Sequence, residues 1–137
     1  MTRLSYAAAA VLVMLVLTVG TLVAQTAFVA PIKGEAEIQV LPIKAVPDFA
    51  AKMVKTVIRV KNASPTGSIV GLKVEQFWYD KANAVLTATS GRIRTPLKPG
   101  EEGKIELQLP YDAKMFREQY VFTHQNGKIK IKQVKNF

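Results

Sequence analysis

The chain of 137 residues contains no cysteine and one histidine, His124. Without thiols it has no disulfide, no cysteine nucleophile and no residue for lipid attachment of the bacterial lipoprotein kind. A single histidine and ten scattered acids offer no ligand spacing for a dedicated metal cluster, and no haem motif is present. A Ser–His–Asp arrangement would have to combine His124 with Asp80 or Asp112 and with Ser64, Ser68 or Ser90, and no Gly-x-Ser-x-Gly turn supports it. There is no P-loop and no Gly-x-Gly-x-x-Gly, while Pro99-Gly100-Glu101-Glu102-Gly103 is an acidic turn unsuited to cradling phosphate. These absences point away from an enzyme and from any cofactor. A lone histidine on a terminal hairpin is expected to be a solvated or edge residue.

Charge is missing as well, from one long stretch: no residue between Arg3 and Lys33 is charged, and Tyr6 to Ala30 is apolar until Pro31 interrupts it. At about 1.5 Å per helical residue, some 20 residues cross a hydrocarbon core of roughly 30 Å, so residues 1–30 read as a transmembrane helix. A cleaved secretory signal has an apolar centre of about 7–15 residues and a small-x-small cut site. Ala7 to Ala24 is longer, and the cut sites are poor: Leu22 lies upstream of Ala24, Gln25 upstream of Ala27, and Pro31 directly after Ala30. The expectation is a retained signal-anchor. Ser5, Ala9, Gly20, Ala24 and Ala27 fall near one helical face and would let another membrane helix approach, although Val13 and Val16 interrupt the stripe and small residues are common in such helices. With no ionisable relay inside the span, the helix anchors rather than transports. A short leading tail favours a cytoplasmic amino terminus, which puts the following domain on the periplasmic side of the inner (cytoplasmic) membrane.

Beyond Pro31 the chain carries every acid and all but one of the 19 basic residues, a net of +8 against +9 for the whole. That surface attracts anionic partners. Residues 31–51 read as a linker with a possible first strand, Glu37–Leu41, and residues 52–137 as one domain. Val54, Thr56, Ile58 and Val60 alternate with Lys55, Val57, Arg59 and Lys61, the period of a half-buried strand. Asn62 to Gly67 breaks it; Asn62-Ala63-Ser64 spells a glycosylation acceptor, but Pro65 favours a turn. Leu72, Val74 and Trp78 share a face with Gln76, Asp80 to Asn83 turns the chain, and Val85 to Arg94 supplies one or two strands. Ile105, Leu107 and Leu109 alternate up to Pro110. Asn126-Gly127 joins Tyr120–Gln125 to Lys128–Val134 with the sequence of a type I′ hairpin turn. About seven short strands without a soluble helix predict an all-β fold, an antiparallel β-sandwich.

The order of strand, Asn-containing turn, a strand ending Phe77-Trp78-Tyr79-Asp80, and then Leu97-Lys98-Pro99-Gly100-Glu101 before an alternating strand resembles the FxLYD-type immunoglobulin-like domains of bacterial envelope proteins. The likeness runs from about Lys52 to Leu109. Gln76 stands where that motif carries Phe, and Trp78 where it carries Leu. The resemblance implies a membrane-anchored, extracytoplasmic, non-enzymatic domain and names no ligand.

Two clusters have alternative uses. Trp78 fits a core tryptophan, with Phe77 and Tyr79 on the opposite face either packed beneath a loop or helix or forming an aromatic contact for a partner. Lys128, Lys130 and Lys132 share one strand face and serve either to protect a sheet edge or to dock an acidic protein. The expectation is an accessory or scaffolding subunit of a larger membrane complex, one version being an energy-converting complex in which it seats an acidic electron carrier. The alternative is a secreted or anchored free-standing module that binds anionic envelope polymers or lipid headgroups. Nucleic acid is not an expected partner.

Overall fold

The computed structural model describes residues 28–137. Residues 1–27 of the expected membrane helix, with Ser5, Ala9, Gly20, Ala24 and Ala27, lie outside the described residues, and residues 28–30, its expected end, are not helical. Among those described, no helix is long and apolar enough to cross a membrane.

The domain is all-β, with eight strands: β1 (Ala36–Val40), β2 (Lys44–Asp48), β3 (Met53–Asn62), β4 (Lys73–Tyr79), β5 (Val85–Arg92), β6 (Glu102–Pro110), β7 (Arg117–His124) and β8 (Gly127–Gln133). Period-two alternation does in space what it did in sequence. β3 buries Val54, Thr56, Ile58, Val60 and Asn62 and turns Lys55, Val57 and Arg59 outward; β6 buries Ile105, Leu107 and Leu109.

β3 organises the sheet. One edge pairs with β6 along its length, while the other is shared by β2 near its start and β1 near its end. β1 pairs on its far side with β8, β8 continues to β7, and β7 leads to β4 and β5. The sheet curls so that its two ends meet where β5 crosses β6. Gly91 makes that approach possible: a Cβ there would lie 2.6 Å from Ile105 Cγ2 and 2.8 Å from Leu107 Cδ2. Inside the curl sit Ile38, Ile58, Ile69, Leu72 and Leu97, all buried. Each stabilises the fold by about 1.5–3 kcal/mol through removal from water.

Three expectations change. Residues 31–51, read as a linker with one possible strand, carry both β1 and β2 in the sheet; Pro47 is tolerated because β2 is an edge strand. The sheet is not purely antiparallel, since β1 runs parallel to β8, from Ala36 beside Ile129 to Val40 beside Gln133. The β7–β8 hairpin is also one residue out of the expected register: His124 pairs with Gly127, leaving Gln125-Asn126 as the turn. Asn126 does not have the positive φ that a type I′ turn at Asn126-Gly127 requires. Tertiary bonds hold this register, because Gln125 N–H donates to Val70 O at 2.9 Å and Asn126 O accepts from Gly34 N at 2.9 Å.

Candidate functional site

Strand direction sorts the loops into two ends. At one, the segment from Ala30 joins the domain beside the loops around Ser64, Leu97 and Gln125. At the other lie the turns around Phe49, Asp80 and Asp112.

The Ala30 end is held tightly. Ser68 N donates to Ala30 O at 3.0 Å, Ile32 N to Ser68 O at 2.8 Å, and Gly34 N to Asn126 O at 2.9 Å. His124, expected to be solvated, is buried at 6% exposure. Its Nε2 lies 2.6 Å from Gly34 O, and its Nδ1 accepts from Asn126 N at 3.4 Å. A carbonyl can only accept, so Nε2 carries the proton and both ring nitrogens are occupied by backbone. Gly127 completes the joint, since a Cβ there would come within 2.5 Å of Gly34 O and its φ is +154°.

Asn62 ties this end together. It is 1% exposed; its Nδ2 donates to Gly67 O and Leu97 O, both at 2.8 Å, and its Oδ1 accepts from Ser64 N at 2.9 Å. The side chain is thus fully used inside the fold, in agreement with a turn and not with a glycan acceptor.

On the outer surface of the same end, cross-strand register aligns Arg92, Lys73, Thr123 and Lys128 across β5, β4, β7 and β8. Lys73 directly faces Arg92, a like-charge pair that is unfavourable on its own. Glu75 relieves Lys73 at 2.8 Å, whereas Arg92 makes no ion pair among the described residues. Arg94 adjoins them, and Lys73, Ser90, Gly91, Arg92 and Arg94 line a polar depression of about 540 Å³.

Lys128, Lys130 and Lys132 are exposed along β8, with Lys130 beside Glu37 and Lys132 beside Gln39. β8 leaves β7 after Lys128, so the lysines border a strand edge without a ladder partner among the described residues, where charge opposes pairing with another chain. Phe77 and Tyr79 lie on the outward face of β4, half-buried and apart from β8, with β7 between them. Tyr79 is already engaged: the Arg117 guanidinium stacks 4.2 Å from its ring centroid, and its hydroxyl donates to Gln119 Oε1 at 3.0 Å. The structure therefore joins Lys128 to Lys73 and Arg92 and does not join the aromatic pair to the lysines.

The inner face of β4 holds the polar part of the core. Gln76 Nε2 donates to Thr56 Oγ1 and Tyr120 Oη, both at 3.0 Å, which explains a polar residue where the resemblance carries Phe. Trp78 is buried against Val54 and Leu109, and its Nε1 has no acceptor among the described residues. Glu118 faces Trp78 across the β4–β7 ladder. Burial pushes the Glu118 carboxyl above the ordinary range; burial, then the Glu118 charge, push the Tyr120 hydroxyl up.

The sequence alone did not mark Lys73 and Arg92 as neighbours, which ladder register brings together, or the reach of Asn62 to Gly67 and Leu97. Nor did it mark an apolar cluster at the far end, where Val46, Phe49 and Val57 are exposed and Phe49 meets Tyr111 edge-to-face at 5.2 Å. Phe49 sits in a segment read as linker. Among the described residues no three His, Asp or Glu side chains gather as a metal site.

No protein-family model matches the chain, and no curated protein matches it. Among solved structures it is similar to IrmA from Escherichia coli, with 7% identity over 74% of this chain and 94% of that one, at a TM-score of 0.50. At that identity the likeness concerns the fold alone.

Proposed function

We propose that the protein is a non-catalytic, single-span membrane protein of the inner membrane. Its periplasmic domain serves as an accessory or scaffolding subunit of a larger membrane complex. The observation that carries this reading is the joint at Ala30: in sequence the uncharged run is followed at once by a segment hydrogen-bonded to Ser68 and Asn126. A domain that close to its span in sequence presents its surfaces to neighbouring subunits.

The domain belongs with immunoglobulin-like β-sandwiches on this reading. In that architecture the first strand pairs with the second, the second with the fifth, and the third with the sixth. Counting β2 as first, the β2–β3, β3–β6 and β4–β7 ladders correspond, while β5 pairs with β4 as an added strand of that sheet. The FxLYD-type resemblance fits the same scheme, with Trp78 inward and Phe77 and Tyr79 outward. The absence of nucleophile and ligand spacing in the sequence supports binding over catalysis.

Contacts to other subunits would use the small-residue face of the span and the lysine-bearing surface of β8. In the most specific version, Lys128, Lys130 and Lys132 help seat an acidic electron carrier of an energy-converting complex. Purification of the tagged chain from native membranes in mild detergent tests the proposal. Other subunits are expected at fixed stoichiometry, and replacing the three lysines with Gln is expected to weaken retention of the acidic protein at low salt. A chain that purifies alone contradicts the subunit role.

A further inference from the structure

Lys33, Arg92, Arg94, Lys98 and Lys128 are all exposed and all lie at the end where the chain passes from the uncharged run into the domain. Three acids of that end are occupied. Glu75 pairs with Lys73 at 2.8 Å, Glu102 with Arg59 at 3.4 Å, and Glu101 Oε2 accepts from Lys98 N at 3.4 Å, leaving Glu35 and, beside Lys130, Glu37. None of the five basic side chains makes an ion pair among the described residues. The Lys73–Arg92 opposition persists on a solvated face, although a cation pair directly across a ladder disfavours itself.

We infer that this end of the domain rests on the bilayer surface and that its basic collar binds the headgroups of anionic phospholipids. The inference rests on the membrane-anchor reading above and adds an orientation and a ligand to it. Two features carry it. The bonds from Ala30, Ile32 and Gly34 to Ser68 and Asn126 fix residues 30–34 on this end of the domain, so the chain that follows the uncharged run enters the fold here. The depression lined by Lys73, Ser90, Arg92 and Arg94 lies at that end, with polar walls suited to phosphate oxygens. Anionic lipid supplies the charge that the collar lacks, and the surface potential acts within about 8–10 Å, so only groups at this end feel it. The apolar cluster of Phe49 and Tyr111 then faces away from the membrane.

The native chain lacks cysteine, so a single introduced thiol can be labelled cleanly. The full chain is reconstituted into vesicles of neutral phosphatidylcholine alone or with phosphatidylglycerol, with a donor dye at Thr66→Cys or Ala82→Cys and acceptor dye on the lipid headgroups. Energy transfer is expected to be greater from position 66 than from 82, to rise with phosphatidylglycerol, and to fall with salt. In the triple variant R92Q/R94Q/K98Q the phosphatidylglycerol increment is expected to vanish, the docked equilibrium dropping roughly 100-fold at about five-fold per residue. Transfer from position 66 that matches or trails that from 82 overturns the orientation. Transfer indifferent to phosphatidylglycerol and to the triple variant overturns the collar while leaving the anchor intact. A chain that fails to float with the vesicles refutes the anchor reading itself, and the inference with it.

Discussion

Replacing Asn62 with Ala removes three hydrogen bonds whose partners are 2, 5 and 35 residues away in sequence. Leu97 O keeps its bond from Ile69 N at 2.9 Å, so its loss is partial. Gly67 O and Ser64 N are part-buried and lose the only side-chain partner they have at Asn62. With a buried unsatisfied group costing about 1–3 kcal/mol and a partly hydrated one less, the sum is roughly 2–4 kcal/mol. Against a total of about 5–15 kcal/mol for a small domain, that is a large fraction. Urea melts of residues 28–137 should show the midpoint falling by roughly 1–3 M with an unchanged slope. Asn62→Asp keeps the acceptor for Ser64 but loses both donors and adds a buried charge, so it should be at least as damaging. A loss below about 1 kcal/mol for Asn62→Ala would refute the view that this side chain fastens the Ala30 end.

Trp78→Ala should cost about 3–5 kcal/mol and Tyr79→Ala about 1 kcal/mol or less, since only the first empties the core; the reverse order in denaturant melts would exchange the faces of β4. Trp78→Phe should cost less than a comparable truncation, because it also removes a buried N–H without an acceptor, and a loss as large as that of Ala would show that Nε1 is satisfied. Gly127→Ala should destabilise the domain by forcing a Cβ onto the Gly34 carbonyl, and an unchanged melting temperature would contradict the close approach. For pH the sign follows from both groups binding protons more tightly in the fold. Glu118 contributes stability that is complete below its ordinary value of 4.5 and lost as pH rises through its raised value; Tyr120 does the same from 10.0 upward. Melting temperature should therefore fall with pH across each window, and Glu118→Gln or Tyr120→Phe should flatten the corresponding step. Equal slopes in wild type and variants would contradict the assignment.

Much of the strand set was legible because burial of one sheet face writes itself as alternation, as in Val54 to Val60 and Ile105 to Leu109. β2 was not, since Lys44-Ala45-Val46-Pro47-Asp48 lies on an edge, buries little and contains a proline that ordinarily signals a break. The faces of β4 followed from parity, which put Trp78 and Gln76 inside; the partners of Gln76, Thr56 and Tyr120, lie 20 and 44 residues away and leave no local mark. His124 was misread for a similar reason. Its place in a hairpin suggested solvent, yet Gly34, 90 residues earlier in the chain, covers it. The hairpin itself was located correctly but set one residue off, because contacts with Val70 and Gly34 outweighed the local preference of Asn126-Gly127. Of the basic surface, the β8 lysines could be read from one strand, whereas their continuation through Lys73 to Arg92 depends on ladder register.

The most direct measurement is the intact mass of the protein recovered from native membranes after an alkaline carbonate wash. The account predicts a membrane-retained species of 15.1 kDa that keeps Met1 and the whole uncharged run. A shortened species beginning after Ala24 and released into the soluble fraction would contradict it.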